Sequence, residues 1–416
     1  LIKDRVRVVV TGMGALSPLG NSVEELWSGL VTGRSGIGPI TLFDPSEFPS
    51  VIAGEVRDFD FTNFVNSKES RRMARFSQLA VAAAIMAVQD SKLDIENMDR
   101  ERFGVVMGAG NGSVPTIQEN CEIMAARGGM RINPFFMPMI LPNMAAANIA
   151  KHFGAKGYNN TVTTACAAST QSIGEAAEAI RRGAAEVIIT GGTEAQISEV
   201  GLAGFCILKA LSTKNDEPAK ASRPFDVDRD GFVPSEGAAV LIIERLDHAL
   251  DRGANILAEI LGFAACSDAY HVVQPEENGE GASRAMRWTL ENAGISANEV
   301  DYINAHGTST PINDIVETRA IKTIFGDRSN KVPISSSKSM VGHVLGASGA
   351  MEAIACIKTI VEGYIHPTIN LDNPDPECDL DYVPNVGRRQ SVDTVLSNSF
   401  GFGGQNACLI FRRYRE

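Results

Sequence analysis

Short apolar runs rich in β-branched residues alternate along this chain with longer, alanine-rich segments. Runs at 7–11, 103–107, 186–190, 240–243, 301–304 and 332–335 end in small residues and predict buried strands. Segments 76–91, 167–182, 281–293 and 347–362 predict helices between them. Strands that are apolar throughout predict sheets covered on both faces, and the alternation predicts an α/β fold.

The pattern echoes itself. Cys166 opens a helical segment that ends near Gly183 and feeds the strand at 187–190. His343 precedes a helical segment that ends near Gly363 and feeds an extended stretch at 365–369. The matched order predicts two similar halves, 1–254 and 255–416, joined near 252–254. The first carries the cysteine and the second both histidines. Irregular stretches at 131–143 and 213–234 predict loops that line sites or interfaces. Asp226, Asp228 and Asp230 have a calcium-loop flavour, but no Gly–x5–Glu completes it. That loop reads instead as one held by ion pairs.

Composition narrows the class. The chain has 416 residues, 44% hydrophobic and 21% charged, the balance of a water-soluble globular protein with a sizeable core. A net charge of −12 argues against a broad nucleic-acid face, which needs clustered cations. The longest apolar stretch, near 79–88, is too short to span a bilayer, so no membrane role is expected. Seven scattered cysteines form no Cys-x-x-Cys pair and no zinc spacing, which suits free thiols in a reducing compartment. The expected location is the cytoplasm, or an organelle matrix if a transit peptide was trimmed, because the chain begins at Leu1.

Three motifs carry chemistry. Thr164-Ala-Cys-Ala-Ala-Ser169 puts Cys166 at a helix start, where the helix dipole and free N–H groups lower a thiol pKa and can hold an oxyanion. Asn304-Ala-His-Gly-Thr-Ser-Thr-Pro311 and Ser337-Lys-Ser-Met-Val-Gly-His343 put His306 and His343 in glycine-flanked turns after apolar runs. Thr308 and Thr310 offer hydroxyls to a ligand. Lys338 and Glu352 flank His343 in sequence, and a buried pair there would orient that imidazole. A thiol with two imidazoles suits covalent acyl transfer with enolate stabilisation. Phe400-Gly-Phe-Gly-Gly-Gln-Asn406 lacks the Lys-Ser/Thr of a phosphate loop and reads as a turn carrying an aromatic lid.

Together with Ser399-Phe-Gly-Phe-Gly-Gly-Gln-Asn406, these motifs resemble the β-ketoacyl-acyl carrier protein synthases, the elongating type II members most closely, over residues 8–411. The resemblance implies a thiolase-like duplicated fold, α-β-α-β-α in five layers, as a homodimer. It implies Cys166 as the acylated nucleophile and His306 and His343 as the pair acting on a malonyl thioester, with Lys338 and Glu352 in support. It implies Phe402 as a gating aromatic whose N–H joins that of Cys166 in an oxyanion hole. Thr308 and Thr310 would meet the phosphopantetheine arm, and Asn111, Phe205 and Phe400 the acyl substrate. The implied partner is an acidic acyl carrier protein bearing acyl or malonyl groups. Lys68, Arg71, Arg72 and Lys209, with Arg75, are the implied landing cations. No cofactor and no metal is implied.

Departures from the pattern exist. Asn111 stands where an apolar pocket residue is usual, and a buried unpaired amide would cost about 1–3 kcal/mol. Ser235 and Ala239 replace glycines, with only local packing changes expected. The expected reaction is decarboxylative Claisen condensation in fatty acid elongation. Alternatives are a polyketide ketosynthase or a non-catalytic chain-length partner, although such a partner would lack the nucleophile. A degradative thiolase would want a second cysteine in a Cys-x-Gly setting, and Cys408 lies between Ala407 and Leu409.

Overall fold

The computed structural model describes residues 5–416; Leu1, which prompted the leader expectation, lies outside them. Among the described residues, ten strands form one sheet. They are β1 (Val8–Leu16), β2 (Phe103–Gly108), β3 (Asn159–Val162), β4 (Val187–Glu194) and β5 (Gly237–Arg245), then β6 (Ala258–Ser267), β7 (Tyr302–Asn304), β8 (Ile334–Ser335), β9 (Thr394–Gly401) and β10 (Gln405–Arg412). Their order is β8-β7-β9-β10-β6-β1-β5-β4-β2-β3.

Outward from the β1–β6 junction, both wings repeat one plan. β1 and β6 run antiparallel to β5 and β10, which run antiparallel to β4 and β9. Those run parallel to β2 and β7, which run parallel to β3 and β8. The pairs Val8–Ile260, Val9–Glu259 and Val10–Ala258 make the wings continuous.

Five helices pack against this sheet in the layers that matter here: α1 (Arg75–Ser91), α2 (Ala168–Arg181), α3 (Glu280–Ala293), α4 (Asn313–Phe325) and α5 (Ser348–Glu362). Strand alternation divides the apolar side chains among separate cores. In β5, Ala239, Leu241 and Ile243 join a central core while Ala238, Val240 and Ile242 join an outer one. In β10, Ala407, Leu409 and Phe411 join the central core while Cys408 and Ile410 join the opposite outer one. Residues of α2 and α5 fill the centre, α1 covers one outer face, and α3 with α4 covers the other. The fold is therefore a five-layer α-β-α-β-α stack. Each buried Val, Leu or Ile in it contributes about 1.5–3 kcal/mol.

One expected strand is misplaced. Of the stretch 365–369 only its start is extended, in the pair Tyr364–Ile365 with Arg388–Arg389, outside the main sheet. Pro367 cannot donate to a ladder and Asn370 turns left-handed at φ 65°, so the chain detours. The counterpart of β4 is β9, reached only after that detour.

Both central helices start alike. The 3-10 turn Ala165–Ala167 precedes α2, and Leu345–Ala347 precedes α5. Ala165 (φ 49°) and Leu345 (φ 47°) are left-handed, a conformation that costs a non-glycine residue about 1–3 kcal/mol and persists where surroundings enforce it. No helix among the described residues is long and apolar enough to cross a membrane.

Candidate active site

The α2 turn delivers Cys166 to the floor of a cavity of about 710 Å³, within the usual range for small-molecule sites. Its Sγ lies 3.0 Å from Nε2 of His343. The N–H groups of Phe402 and of Cys166 itself also favour its charged form. Burial nevertheless dominates and pushes the thiol up to about 11, against the pull of the Lys338 ammonium and those amides. This corrects the expectation of a depressed pKa: a helix start lowers it less than desolvation raises it.

The histidines meet because β7 and β8 are parallel neighbours, so the loops that follow them leave the sheet at the same end. His306 and His343 are 5.5 Å apart, ring centre to ring centre, at 84°. Burial, with the Lys338 charge adding to it, holds both well below the usual imidazole pKa, so both rings are neutral. Their tautomers follow from their neighbours. The Leu345 N–H donates to His343 Nδ1 (3.3 Å), and Ser348 Oγ lies 2.9 Å from the same atom. The Lys338 ammonium lies 3.3 Å from His306 Nδ1 and donates to the His306 carbonyl at 2.7 Å. Each Nδ1 therefore accepts, and each Nε2 carries the proton.

The Lys338–Glu352 ion pair forms, fully buried, but it serves His306 and not His343 as the sequence suggested. The short helix Lys338–Val341 turns the lysine toward the β7 loop. The His306 loop is pinned further by Glu317 on α4, which accepts the His306 and Gly307 N–H groups at 2.8 Å each. Burial pushes Glu317, Glu352 and Glu194 each up to about 7.

Thr308 and Thr310 lie on the cavity wall with hydroxyls 2.9 Å apart. Asp314 accepts the Thr308 and Ser309 N–H groups, and buried Arg229 donates to the Thr310 and Pro311 carbonyls at 3.0 and 2.8 Å. Arg229 also pairs with Asp375 at 2.7 Å, and Arg223 with Asp226 at 3.0 Å, so the 222–232 loop is held by ion pairs as expected. Phe205, Phe400 and Phe402 line the cavity, Phe205 edge-on to Phe232, which is edge-on to His343. Lys209 stands exposed at the rim. Asn111 lines the cavity but is exposed, so the anticipated burial cost does not arise.

Sequence reasoning missed Glu194, Glu317 and Ser348. An acid one turn into the helix after a histidine loop is the available signal for Glu317. Glu194 closes the run Gly-Gly-Thr-Glu at a strand end and gives no such signal.

Among the described residues, Cys166, His306 and His343 form the one group of three ligand-type atoms close enough for a metal, within 4.8 Å.

A second depression, of about 700 Å³, is ringed by Lys68, Arg71, Arg72 and Arg131 over Ile123, Ile132 and Phe135. The Arg72 guanidinium lies 4.7 Å from the centre of the Phe135 ring. Arg75 does not belong to this group: it faces inward to Glu236 at 2.6 Å.

Known proteins resemble this chain over nearly its whole length. Residues 5–249 match the profile of the β-ketoacyl synthase N-terminal domain, and 257–372 that of the C-terminal domain. The chain is 50% identical over 412 residues to a 3-oxoacyl-[acyl-carrier-protein] synthase 2 of Synechocystis sp., covering 99% of each. Among solved structures it superposes on a β-ketoacyl synthase from Burkholderia phymatum with a TM-score of 0.92 at 39% identity, over 99% of this chain. A ketosynthase solved with its type II PKS acyl-carrier protein gives 0.89 at 36% identity, covering 99% of this chain and 100% of that one.

Proposed function

The chain belongs to the β-ketoacyl synthase family, and from that premise we propose how its residues divide the work of the elongating condensation. The reaction joins an enzyme-bound acyl group to malonyl-acyl carrier protein, with loss of CO2, and yields 3-oxoacyl-acyl carrier protein in fatty acid synthesis. The full-length identity of 50% to a synthase 2, against 36% to the polyketide-type neighbour, favours the fatty acid pathway.

In this reading the Cys166 sulfur attacks the acyl thioester, and the proton it loses ends on the carrier thiol. The second carrier brings malonyl. Its carboxylate leaves as CO2, and the bonding pair moves into the thioester as an enolate. Nε2–H of His306 and of His343 donate to the enolate oxygen. The enolate carbon then attacks the Cys166 thioester carbonyl, whose oxyanion is held by the N–H groups of Cys166 and Phe402. Collapse expels the cysteine sulfur, which takes up one proton from solvent, the proton that loss of CO2 consumes overall. Lys338, Glu352 and Glu317 fix the donors, and Thr308 and Thr310 receive the carrier's arm. The single observation that carries this reading is two imidazoles beside one sulfur, each with Nδ1 engaged so that Nε2 carries the proton, that of His343 resting against Cys166 Sγ at 3.0 Å in the free enzyme.

The basic depression at Lys68, Arg71 and Arg72, with Lys209 at the cavity mouth, is the landing site for the acidic carrier. Asn111, Phe205 and Phe400 border the acyl chain. The halves 1–254 and 255–416 are the two structural repeats, a division supported by the repeated strand order. The enzyme is read as a homodimer through β3, the end strand of the sheet, whose Asn159 and Asn160 are exposed. Its location is read as the cytoplasm. Mass spectrometry after incubation with acyl carriers of graded length tests the assignment. An adduct of acyl mass on the peptide carrying Cys166 is expected, and none, or one elsewhere, overturns it.

A further inference from the structure

The repeat that builds the fold gives the nucleophile turn a mate. Leu345–Ala347 stands in the second half where Ala165–Ala167 stands in the first, so Gly346 is the mate of Cys166. Each turn packs against the end of a strand from the other half, the Cys166 turn on β9 and the Gly346 turn on β4. β9 ends at Gly401 and β4 at Glu194.

That difference decides what each turn's N–H groups meet. A Cβ at Gly401 would lie 3.0 Å from Cys166 N and 3.2 Å from Ala167 N. Glycine there leaves the Cys166 N–H open to a substrate oxygen, while the Ala167 N–H is spent on the Thr164 carbonyl at 3.0 Å. At the mated place stands the Glu194 side chain. Its Oε2 accepts both the Gly110 N–H (2.8 Å) and the Gly346 N–H (3.1 Å), and its Oε1 accepts Gln196 Nε2 at 2.7 Å. Two N–H groups converging on one oxygen is what an oxyanion hole offers a substrate. Glu194 is fully buried yet borders the reaction cavity.

We propose that Glu194 is the resident occupant of a second oxyanion-type hole, built on the turn that mates with the Cys166 turn, and that by filling it Glu194 positions His343. The link is one residue long. Gly346 is held by Glu194, and Leu345, the left-handed residue before it, donates the N–H that makes His343 Nδ1 an acceptor. Without that anchor the strained turn relaxes and the ring can take the other tautomer, which turns a lone pair toward the enolate oxygen. Glu194 is thus a positioning residue. The proposal rests on the reading of His343 as an enolate donor.

The test compares Glu194→Ala and Glu194→Gln with wild type in two half-reactions: acylation of Cys166 followed by mass, and CO2 release from malonyl-acyl carrier protein, each with and without added formate. Glu194→Gln retains an oxygen for both N–H groups and should stay within about threefold of wild type. Glu194→Ala should acylate normally while decarboxylation falls about tenfold or more. Formate, small enough to enter the vacated hole from the cavity, should restore decarboxylation in that variant and leave wild type unchanged. Equal loss of both half-reactions, unchanged decarboxylation, or loss without formate rescue would each overturn the proposal. Should Glu194→Ala fail to fold, Glu194→Asp, too short to span both amides, replaces it with the same expectations for the two half-reactions. Failure of wild-type Cys166 to acylate would instead count against the assigned function.

Discussion

The Nζ of Lys338 lies 3.3 Å from Nδ1 of His306. An ammonium only donates, so the ring nitrogen facing it is an acceptor and the proton sits on the opposite nitrogen. His343 reaches the same state through a backbone N–H. Two unrelated supports thus impose one tautomer on both rings, and the donors for a developing negative charge are set before substrate arrives.

Lys338→Met should remove that control over His306 and leave Glu352 buried without its partner. Stability should fall by about 3–5 kcal/mol, as for other broken buried pairs. The double variant Lys338→Met, Glu352→Gln should recover most of the stability but not the decarboxylation. Thermal denaturation and CO2 release measured on the same samples check both halves of this expectation.

Cys166→Ala should form no acyl adduct yet still release CO2 from malonyl-acyl carrier protein. His306→Ala and His343→Ala should do the reverse, acylating while decarboxylation drops by about 10²–10³, the cost of one lost oxyanion donor. Full condensation by Cys166→Ala would remove the cysteine from the mechanism.

The free thiol, pushed up to about 11, should be alkylated by iodoacetamide at a rate that rises about tenfold per pH unit from about pH 7 to 9, because only the thiolate reacts. A rate already on a plateau at neutral pH would show that the helix start and Lys338 outweigh burial.

Lys68→Glu and Arg72→Glu should raise KM for the acidic carrier several-fold with little change in kcat, and the effect should shrink as salt rises. Arg75→Glu should behave differently, lowering the melting temperature because it abandons Glu236. Steady-state kinetics at two ionic strengths, alongside melting curves, separate the two outcomes.

Far from the cavity, Glu244 is buried. Burial raises its pKa, but hydrogen bonds from Arg252, His248 and Thr11 together outweigh it, bringing the value from 4.5 to about 2. A carboxylate depressed in the folded state stabilises it above the unfolded pKa and loses that contribution as pH falls through the folded value. Glu244→Gln should cost on the order of 3 kcal/mol at neutral pH, and the difference from wild type should vanish between about pH 4.5 and 2. Denaturant titrations across that interval measure it.

Cys166, His306 and His343 were legible because each sits in a short turn flanked by glycine or alanine right after an apolar run. The doubled architecture was legible only in part. The sequence pattern points to 365–369 for the strand matching β4, whereas Pro367 diverts the chain and delays it to β9. Lys338 was matched to the wrong histidine because five residues separate it from His343, and sequence distance says nothing about which way a short helical turn points. Glu194 is illegible because its partner Gly346 lies in the other half of the chain, 152 residues away; Glu317, only eleven residues after His306, leaves the faint signal of an acid one turn into the next helix.

The nucleophile sits on one repeat and both imidazoles on the other, and the connection between them passes through left-handed Gly253 beside exposed Leu250 on the surface. A nick there would leave one piece with the nucleophile alone and the other with the imidazoles alone, so neither could condense. Condensation would return only where the pieces dock, through the β1–β6 pair and the packing of α2 on α5, which makes this catalyst a ready-made split reporter of proximity.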